Sequence, residues 1–238
     1  MQLRKFLTVG AAVLTAGLLS LTAVAQAAPP HGVIAGVDVN GNRTAGTPAV
    51  DGVFKSGTAT FAGFTANCVG GTASGNVDRG PGASRAFRFT ALNLVCASPL
   101  GVNATMTLNA GCTITTTFTG GHVHDTTFVD TGAKGADPSV VDNGAGVIPA
   151  GCIQVTTPGG CSHTVDGTFV GQYSEAIRVF SGVSYQDFIM KGNNLFTRNP
   201  NVWCLGLITN NGAITLNNII FNIQPTGGLT GRGIHFYN

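Results

Sequence analysis

Apolar and polar residues alternate with a period of two along several segments of this chain. The clearest segment is residues 112–118, in which the alternating positions are Cys112, Ile114, Thr116 and Phe118. Successive side chains of a β-strand point to opposite faces, so this pattern predicts a strand with one face toward a core and threonines on the other. We find no convincing 3.6-residue period beyond a possible turn, and we therefore expect a fold built from sheets.

Glycine and asparagine residues separate many of the strand candidates, which indicates antiparallel hairpins. Three hairpins are expected, in which residues 112–118 pair with 122–129, 178–180 with 183–189, and 204–209 with 213–223. In the last strand the apolar positions change phase across Asn217-Asn218, which predicts a β-bulge. Further strand candidates are residues 58–67, 87–96, 104–108, 153–156, 164–170 and 233–237.

Many short strands without alternating helices predict an all-β fold. We expect a single-domain antiparallel β-sandwich or a barrel-like fold. An outer-membrane barrel has a similar alternation, but its strands need about ten residues with aromatic girdles at both ends. Many of the segments here are shorter, which disfavours that class of barrel.

The first 27 residues have the pattern of a secretory signal peptide. Arg4 and Lys5 precede an uncharged, mostly apolar run, and Ala25-Gln26-Ala27 is a small-x-small cleavage site. A transmembrane anchor is the alternative, because the uncharged run approaches the length that spans a bilayer. We predict a signal peptide over 1–27, an extended lead-in over 28–48 and an all-β domain over 49–238. The mature protein is then expected to be secreted.

Loss of the leader removes the excess of positive charge. The whole chain has 12 Lys and Arg residues against 10 Asp and Glu residues, and Arg4 and Lys5 leave with the leader. The mature chain is therefore formally neutral. Because nucleic-acid binding depends on clustered basic residues, no nucleic-acid partner is expected. No transmembrane segment is expected after cleavage, and the partner is left open between a surface polymer and another protein.

Six cysteines follow the leader, and an even number of them in an exported chain is typical of a disulfide framework. We expect three disulfides, with 15 pairings open. A zinc site is the alternative, but no Cys-x-x-Cys spacing occurs, and exported thiols tend to oxidise. The residues are Cys68, Cys96, Cys112, Cys152, Cys161 and Cys204.

No catalytic residues are predicted. The chain has one glutamate, Glu175, and nine aspartates, none of them paired in a recognisable catalytic context. It lacks a Gly-x-Ser-x-Gly nucleophile motif. Ser162 and His163 are strand neighbours that point to opposite faces, so they would not form a nucleophile and base pair. This residue inventory leans against an enzyme.

His122 and His124 are the best metal candidates, because alternate residues of a strand share a face. A third ligand would be needed, for which His163 or Asp130 are the suggestions. A lone His-x-His lacks the full ligand set, so a solvated face is favoured. No cofactor is predicted.

Residues 38–42 resemble the opening of a calcium loop. Arg43 and Ala49 stand where an EF-hand has its glycine and glutamate, so a turn is favoured over a calcium site. The single tryptophan, Trp203, adjoins Cys204, and we expect it to pack in the core beside a disulfide.

Several cysteines stand among small and turn-forming residues, as in Asn109-Ala110-Gly111-Cys112, Thr157 to Ser162, and Cys204-Leu205-Gly206-Leu207. In this the chain resembles the secreted, β-rich, cysteine-paired proteins of actinobacterial type. That class has no characterised activity. The resemblance implies an exported β fold and transfers no site residues.

Two functions remain open. The first is a non-enzymatic exported protein, a structural or binding component of a cell surface or matrix. The second is a secreted hydrolase acting on a polysaccharide, with aspartates that meet only in the folded chain. Two facing aspartates in a cleft would favour the hydrolase, whereas dispersed aspartates would favour the first function.

Overall fold

In a computed structural model of the protein, the described residues are 32–37, 43–45, 49–61, 63–78, 85–98, 101–118, 141–174, 178–180, 183–226 and 234–237. The predicted signal peptide lies outside them. The strands are β1 (Gly32–Val37), β2 (Arg43–Ala45), β3 (Ala49–Phe61), β4 (Phe64–Asp78), β5 (Arg85–Ala97), β6 (Asn103–Leu108), β7 (Ile114–Phe118), β8 (Val141–Thr156), β9 (Ser162–Ser174), β10 (Arg178–Phe180), β11 (Val183–Arg198), β12 (Ala213–Pro225) and β13 (Ile234–Tyr237). A single 3-10 turn, η1 (Val202–Cys204), lies between β11 and β12.

The large sheet closes on itself as an antiparallel barrel. Each of β3, β4 and β5 pairs with the next, β8 pairs with β9, and β9 pairs with β11. The circle closes because β11 pairs with β12 and β12 pairs with β3. The barrel has eight strand positions. The all-β antiparallel prediction is confirmed, and of the two architectures left open the chain adopts the barrel.

One of the eight positions is divided between β6 and β7. β6 pairs with the second half of β5 and the end of β8, while β7 pairs with the first half of β5 and the start of β8. Residues 109–113 leave the wall between these short strands. The disulfide Cys112–Cys152 ties this excursion to β8, and the Asn109 amide donates to the Gly151 carbonyl at 2.7 Å. The gap in the wall is therefore covalently closed.

Burial alternates along the barrel strands, with apolar side chains inside and polar ones outside. In β7 the inner positions Ile114, Thr116 and Phe118 are buried, and the outer positions Thr115 and Thr117 are half-buried. The predicted alternation is confirmed in this strand. Its one polar inner residue, Thr116, fits because Gly171 leaves room for the Thr116 methyl group.

The predicted bulge in β12 is confirmed. The pairing of β12 with β3 shifts register after Asn217, and Asn218 has a φ of 51°. The shift keeps Leu216 and Ile219 both in the core although they are three residues apart. Across the bulge, Gly57 accommodates the close approach of the Asn218 carbonyl, because a Cβ there would lie 2.5 Å from that oxygen.

Of the three predicted hairpins, the one joining β10 and β11 is confirmed. The predicted pairing of residues 112–118 with 122–129 is wrong, because β7 pairs with β5 at one edge and with β8 at the other. Residues 122–129 themselves lie outside the described residues. The third hairpin is correct in its β12 strand, but its partner strand is β11. Residues 204–209 form turns instead of a strand, since Leu205 and Gly206 have φ angles of 51° and 74°.

The barrel interior has two chemically different halves. Five aromatic rings fill the first half, where centroid separations of 4.9 to 6.0 Å join Phe87 to its neighbours. The rings are Phe87, Phe89, Phe118, Tyr173 and Phe188. In the second half the lining is aliphatic and includes Leu94, Ile153, Leu195 and Ile214. We call the barrel opening beyond the aliphatic half the mouth, and the opposite opening the aromatic end.

A second, three-stranded antiparallel sheet has the order β13-β1-β2. β1 and β2 fall within the residues expected to form an extended lead-in, and β13 coincides with a predicted strand. β1 pairs with β13 from Gly32 opposite Tyr237 to Ala35 opposite Ile234. The two ends of the described chain are thus joined by backbone hydrogen bonding.

Candidate functional site: the barrel mouth

An apolar groove of about 300 Å³ lies at the barrel mouth. β4 contributes its first residue, Phe64, and the β5–β6 connection contributes Val102. The β11–β12 connection contributes three larger side chains, Trp203, Leu205 and Leu207. We call these five residues the mouth surface. No Asp, Glu, Lys or Arg lines the groove among the described residues.

All five side chains of the mouth surface are apolar, yet each is exposed to solvent. The exposed fractions are 44% for Phe64 and Val102, 66% for Trp203, 80% for Leu205 and 63% for Leu207. Single apolar residues on a surface need no explanation, whereas a contiguous group is typical of a ligand or partner site. Mouths of β-barrels are also a preferred place for ligand sites.

The β11–β12 connection is held firmly against the rest of the barrel. The disulfide Cys161–Cys204 joins it to the β8–β9 turn. Beside this bond, the Asn201 side chain donates to the Gly160 carbonyl at 2.9 Å and accepts from the Ser162 amide at 3.1 Å. The indole of Trp203 lies over Gly160, where a Cβ would stand 3.6 Å from the Trp203 Cγ. The exposed side chains are therefore carried on an anchored segment.

Leu205 is held in a conformation that its side chain disfavours. Its φ of 51° is in the left-handed region, which costs about 1 kcal/mol or more for a residue with a branched side chain. This backbone follows η1 directly and directs Leu205 outward, where the side chain buries little apolar area in the barrel. Folding alone gives no reason for an exposed leucine at this position.

The space inside the barrel is too small for a ligand. The aliphatic half contains a cavity of about 40 Å³, which exceeds the space of one water molecule but is far below the roughly 150 Å³ that accommodates benzene. Phe61 lines both this cavity and the groove. The groove outside Phe61 offers more space than this cavity. A second open groove of about 540 Å³ lies on the barrel wall and has a more polar lining that includes Asn143, Thr168 and Asn194.

His163 is the polar side chain among the residues that line the inner cavity. It is 4% exposed, and its Nδ1 has no hydrogen-bond partner. Burial lowers the pKa of His163 from its ordinary value of 6.5, because the surroundings disfavour the imidazolium. The ring is therefore neutral at pH 7. Ser162 and His163 do lie on opposite faces, as the strand pattern predicts.

The aspartates whose side chains the structure describes are dispersed and individually engaged. Asp187 binds Lys55 at 3.1 Å, Asp166 binds Arg198 at 2.9 Å, and Asp51 accepts from the Thr226 hydroxyl at 2.7 Å. Each of these three carboxylates thus has a separate polar partner, which gives no support to the paired arrangement expected for glycoside hydrolysis.

The disulfide framework is confirmed, and its pairing is Cys68–Cys96, Cys112–Cys152 and Cys161–Cys204. His122, His124 and Asp130 lie outside the described residues, as do residues 38–42 of the possible calcium loop. The expected burial of Trp203 is wrong, because the turn of η1 buries Cys204 and leaves the indole outside.

The sequence patterns predicted none of the five residues of the mouth surface as site residues. One signal was present in the sequence, because residues 202–208 are rich in apolar side chains and have turn residues on both sides. The apolar residues are Val202, Trp203, Leu205, Leu207 and Ile208. Among the described residues, no helix has the length and apolar character needed to cross a membrane. Comparisons with protein families, curated proteins and solved structures find no match to this chain.

Proposed function

We propose that this chain is an exported, non-enzymatic binding protein that takes a small, uncharged, apolar molecule at the barrel mouth. The observation that carries the proposal is the mouth surface, a group of exposed apolar side chains on an anchored connection. Burying these side chains against a ligand would remove apolar area from water at about 25 cal/mol per Å².

The groove supports this ligand class by its size and by its lack of charge. Its volume of about 300 Å³ is at the lower end of the range for small-molecule sites. A charged ligand group would lose water without gaining a partner of opposite charge, since no ionisable Asp, Glu, Lys or Arg lines the groove in the described chain. An apolar molecule incurs no such cost.

Export is supported by the leader pattern together with the disulfides. Three disulfides without a free cysteine suit an oxidising compartment. Outer positions of the barrel wall, such as Thr115 and Thr117, are polar, which suits contact with water. No observation among the described residues favours the polysaccharide hydrolase, since each described aspartate side chain has a separate partner.

Binding is tested by titrating the secreted protein with N-phenyl-1-naphthylamine, an uncharged apolar fluorophore. Trp203 is the only tryptophan of the chain, so energy transfer from its indole reports a probe held at the mouth. We expect saturable binding that is weakened about tenfold or more by the double substitution Leu205→Asn with Leu207→Asn, because each leucine buries apolar area worth roughly 1.5 kcal/mol.

Val53→Asn is the matched control, because Val53 is an apolar side chain of the β3 wall that is 50% exposed and lies outside the groove lining. It should change the affinity by less than about twofold. Probe binding that is absent, or that the leucine substitutions leave unchanged, would refute the proposed site.

A further inference from the structure

Cys161, His163 and Cys204 bring three metal-binding side chains to one point beneath the mouth surface. One ligand atom of each lies within 4.8 Å of the other two. Cys161 immediately precedes β9, and His163 is the second residue of that strand. Cys204 reaches them through η1, which Asn201 holds against the β8–β9 turn.

The imidazole provides an independent sign of an unused ligand. His163 is 4% exposed, and its Nδ1 is buried without a hydrogen-bond partner. A buried nitrogen without a hydrogen-bond partner lowers the stability of the fold, and such atoms are rare in native structures. Its remaining surroundings in the cavity lining are aliphatic, aromatic and thioether side chains, which offer no proton donor.

Two thiolates and one neutral imidazole are a preferred ligand set for zinc. Tetrahedral zinc with a metal–sulfur distance of about 2.3 Å places its ligand atoms roughly 3.5 to 3.8 Å from one another. That spacing lies within the 4.8 Å that already encloses the three side chains. Opening of the disulfide must separate the two sulfur atoms to that spacing before a metal can bind.

We propose that Cys161, His163 and Cys204 bind Zn²⁺ when a dithiol reductant opens the Cys161–Cys204 disulfide. Both cysteines line the groove, whereas His163 lines the cavity behind it. Zinc takes four ligands, and no fourth His, Cys, Asp or Glu side chain joins these three among the described residues, so water would complete the site. The site is independent of the proposed apolar ligand and would remain if that function were refuted.

The redox step balances as a thiol–disulfide exchange. The dithiol loses two electrons and two protons and becomes a cyclic disulfide, while the protein disulfide gains them and becomes two thiols. Binding of Zn²⁺ then releases two protons from these thiols, because thiolates are the ligand form. The two sulfur atoms can therefore either form the disulfide or bind the metal, but not both at once.

Among the residues that the structure describes, the other two disulfides have no such group of ligands around them. Within the described ranges, the group that contains Cys161 is the one in which three His, Cys, Asp or Glu side chains converge. Cys112–Cys152 is the useful comparison, since it also joins an excursion of the chain to the wall of the barrel.

The experiment uses the full secreted chain, reduced without oxygen, freed of reductant and titrated with Co²⁺ as a spectroscopic probe for Zn²⁺. The reduced wild type should bind one Co²⁺ per chain, with thiolate-to-cobalt charge-transfer and tetrahedral d–d bands that Zn²⁺ abolishes. His163→Leu and Cys161→Ser should each weaken this binding by about tenfold or more, a range typical for loss of a group that supports metal binding.

Cys112→Ser is the matched control, because it removes a thiol from a pair without the histidine, and it should leave the cobalt affinity unchanged. The oxidised wild type should show no charge-transfer band. Equal cobalt binding by wild type and His163→Leu would overturn the proposal. So would a reduced chain whose far-ultraviolet circular dichroism shows unfolding that Zn²⁺ does not reverse, since a native-state site must stabilise the fold.

Discussion

At the scale of single residues, the barrel depends on space that glycines leave for large neighbours. The ring of Phe169 is 3% exposed and lies against Gly146 in the wall. A Cβ at Gly146 would stand 2.2 to 2.5 Å from three atoms of that ring. Gly146 has an ordinary φ, so the requirement is one of space and does not involve backbone conformation.

Gly146→Ala should therefore lower the free energy of unfolding by about 1–3 kcal/mol, because the buried ring of Phe169 has to move. Urea unfolding with intact disulfides measures the change. Gly70→Ala is the control, since no atom lies within 4 Å of a Cβ there, and it should cost less than about 0.5 kcal/mol. Equal losses in the two variants would contradict the steric argument.

His163 gives the barrel a pH dependence of known sign. Burial lowers the pKa of His163 below 6.5, so the unfolded chain binds this proton at a higher pH than the folded chain does. The contribution of His163 to stability is complete above pH 6.5 and is lost as the pH falls through the lowered pKa.

We expect the wild type to lose stability as the pH falls below about 7, and His163→Leu to lose less over the same range. Urea unfolding at several pH values gives the comparison. The same carboxylates and remaining histidines titrate in both proteins, so the difference isolates His163. Identical pH profiles would show that the ring is not buried as a neutral group.

At the scale of elements, the sequence pattern correctly predicted those features that depend on neighbouring residues. The alternation in residues 112–118, the hairpin of β10 with β11 and the bulge at Asn218 all follow from adjacent residues, and all three are seen. The partner of β7 could not be found this way, because β5 and β8 compete for both of its edges.

The candidate site was harder to predict than the fold. Leu205 and Leu207 look like a buried strand in sequence, since apolar residues alternate there. The covalent bond between Cys161 and Cys204 and the hydrogen bonds of Asn201 instead hold this segment as turns on the outside. Those contacts join residues about forty positions apart, so no local pattern contains them.

Asn201→Ala should loosen the β11–β12 connection while leaving the barrel folded. The substitution removes two side-chain hydrogen bonds, to the Gly160 carbonyl and from the Ser162 amide, worth about 1–3 kcal/mol together. Hydrogen exchange of the amides in residues 202–208 should accelerate about tenfold or more.

Asn217→Ala provides the comparison, because its amide makes an exposed contact with the Thr60 hydroxyl at 3.3 Å on the outer wall. It should leave exchange in residues 202–208 unchanged. If Asn201→Ala also leaves hydrogen exchange in residues 202–208 unchanged, the hydrogen bonds of Asn201 are not needed and the disulfide alone anchors the connection.

At the scale of the whole molecule, closure of the barrel joins distant parts of the chain. β3 pairs with β12 from Val50 opposite Pro225 to Phe61 opposite Ile214. Contacts of such large sequence separation must form before the core is sealed, and they slow folding. The aromatic and aliphatic halves share every long strand of the wall, so neither half can fold alone.

Refolding with intact disulfides should therefore take milliseconds to seconds and follow one cooperative transition, in the range of other folds dominated by non-local pairing. Stopped-flow fluorescence of Trp203 reports the mouth, and far-ultraviolet circular dichroism reports the whole sheet. The two signals should change with the same rate constant. Separate rates would mean that the mouth end forms independently of the rest.

The hydrogen bond from the Thr226 amide to the Ala49 carbonyl, at 2.8 Å, marks where the chain enters and leaves the barrel. Both points lie at the aromatic end, because β3 begins there and β12 ends there. The chain therefore enters and leaves the barrel at the end opposite the mouth. We expect immobilisation or genetic fusion through either flank to leave the groove accessible, because the strand ends nearest the two attachment points lie at the opposite opening.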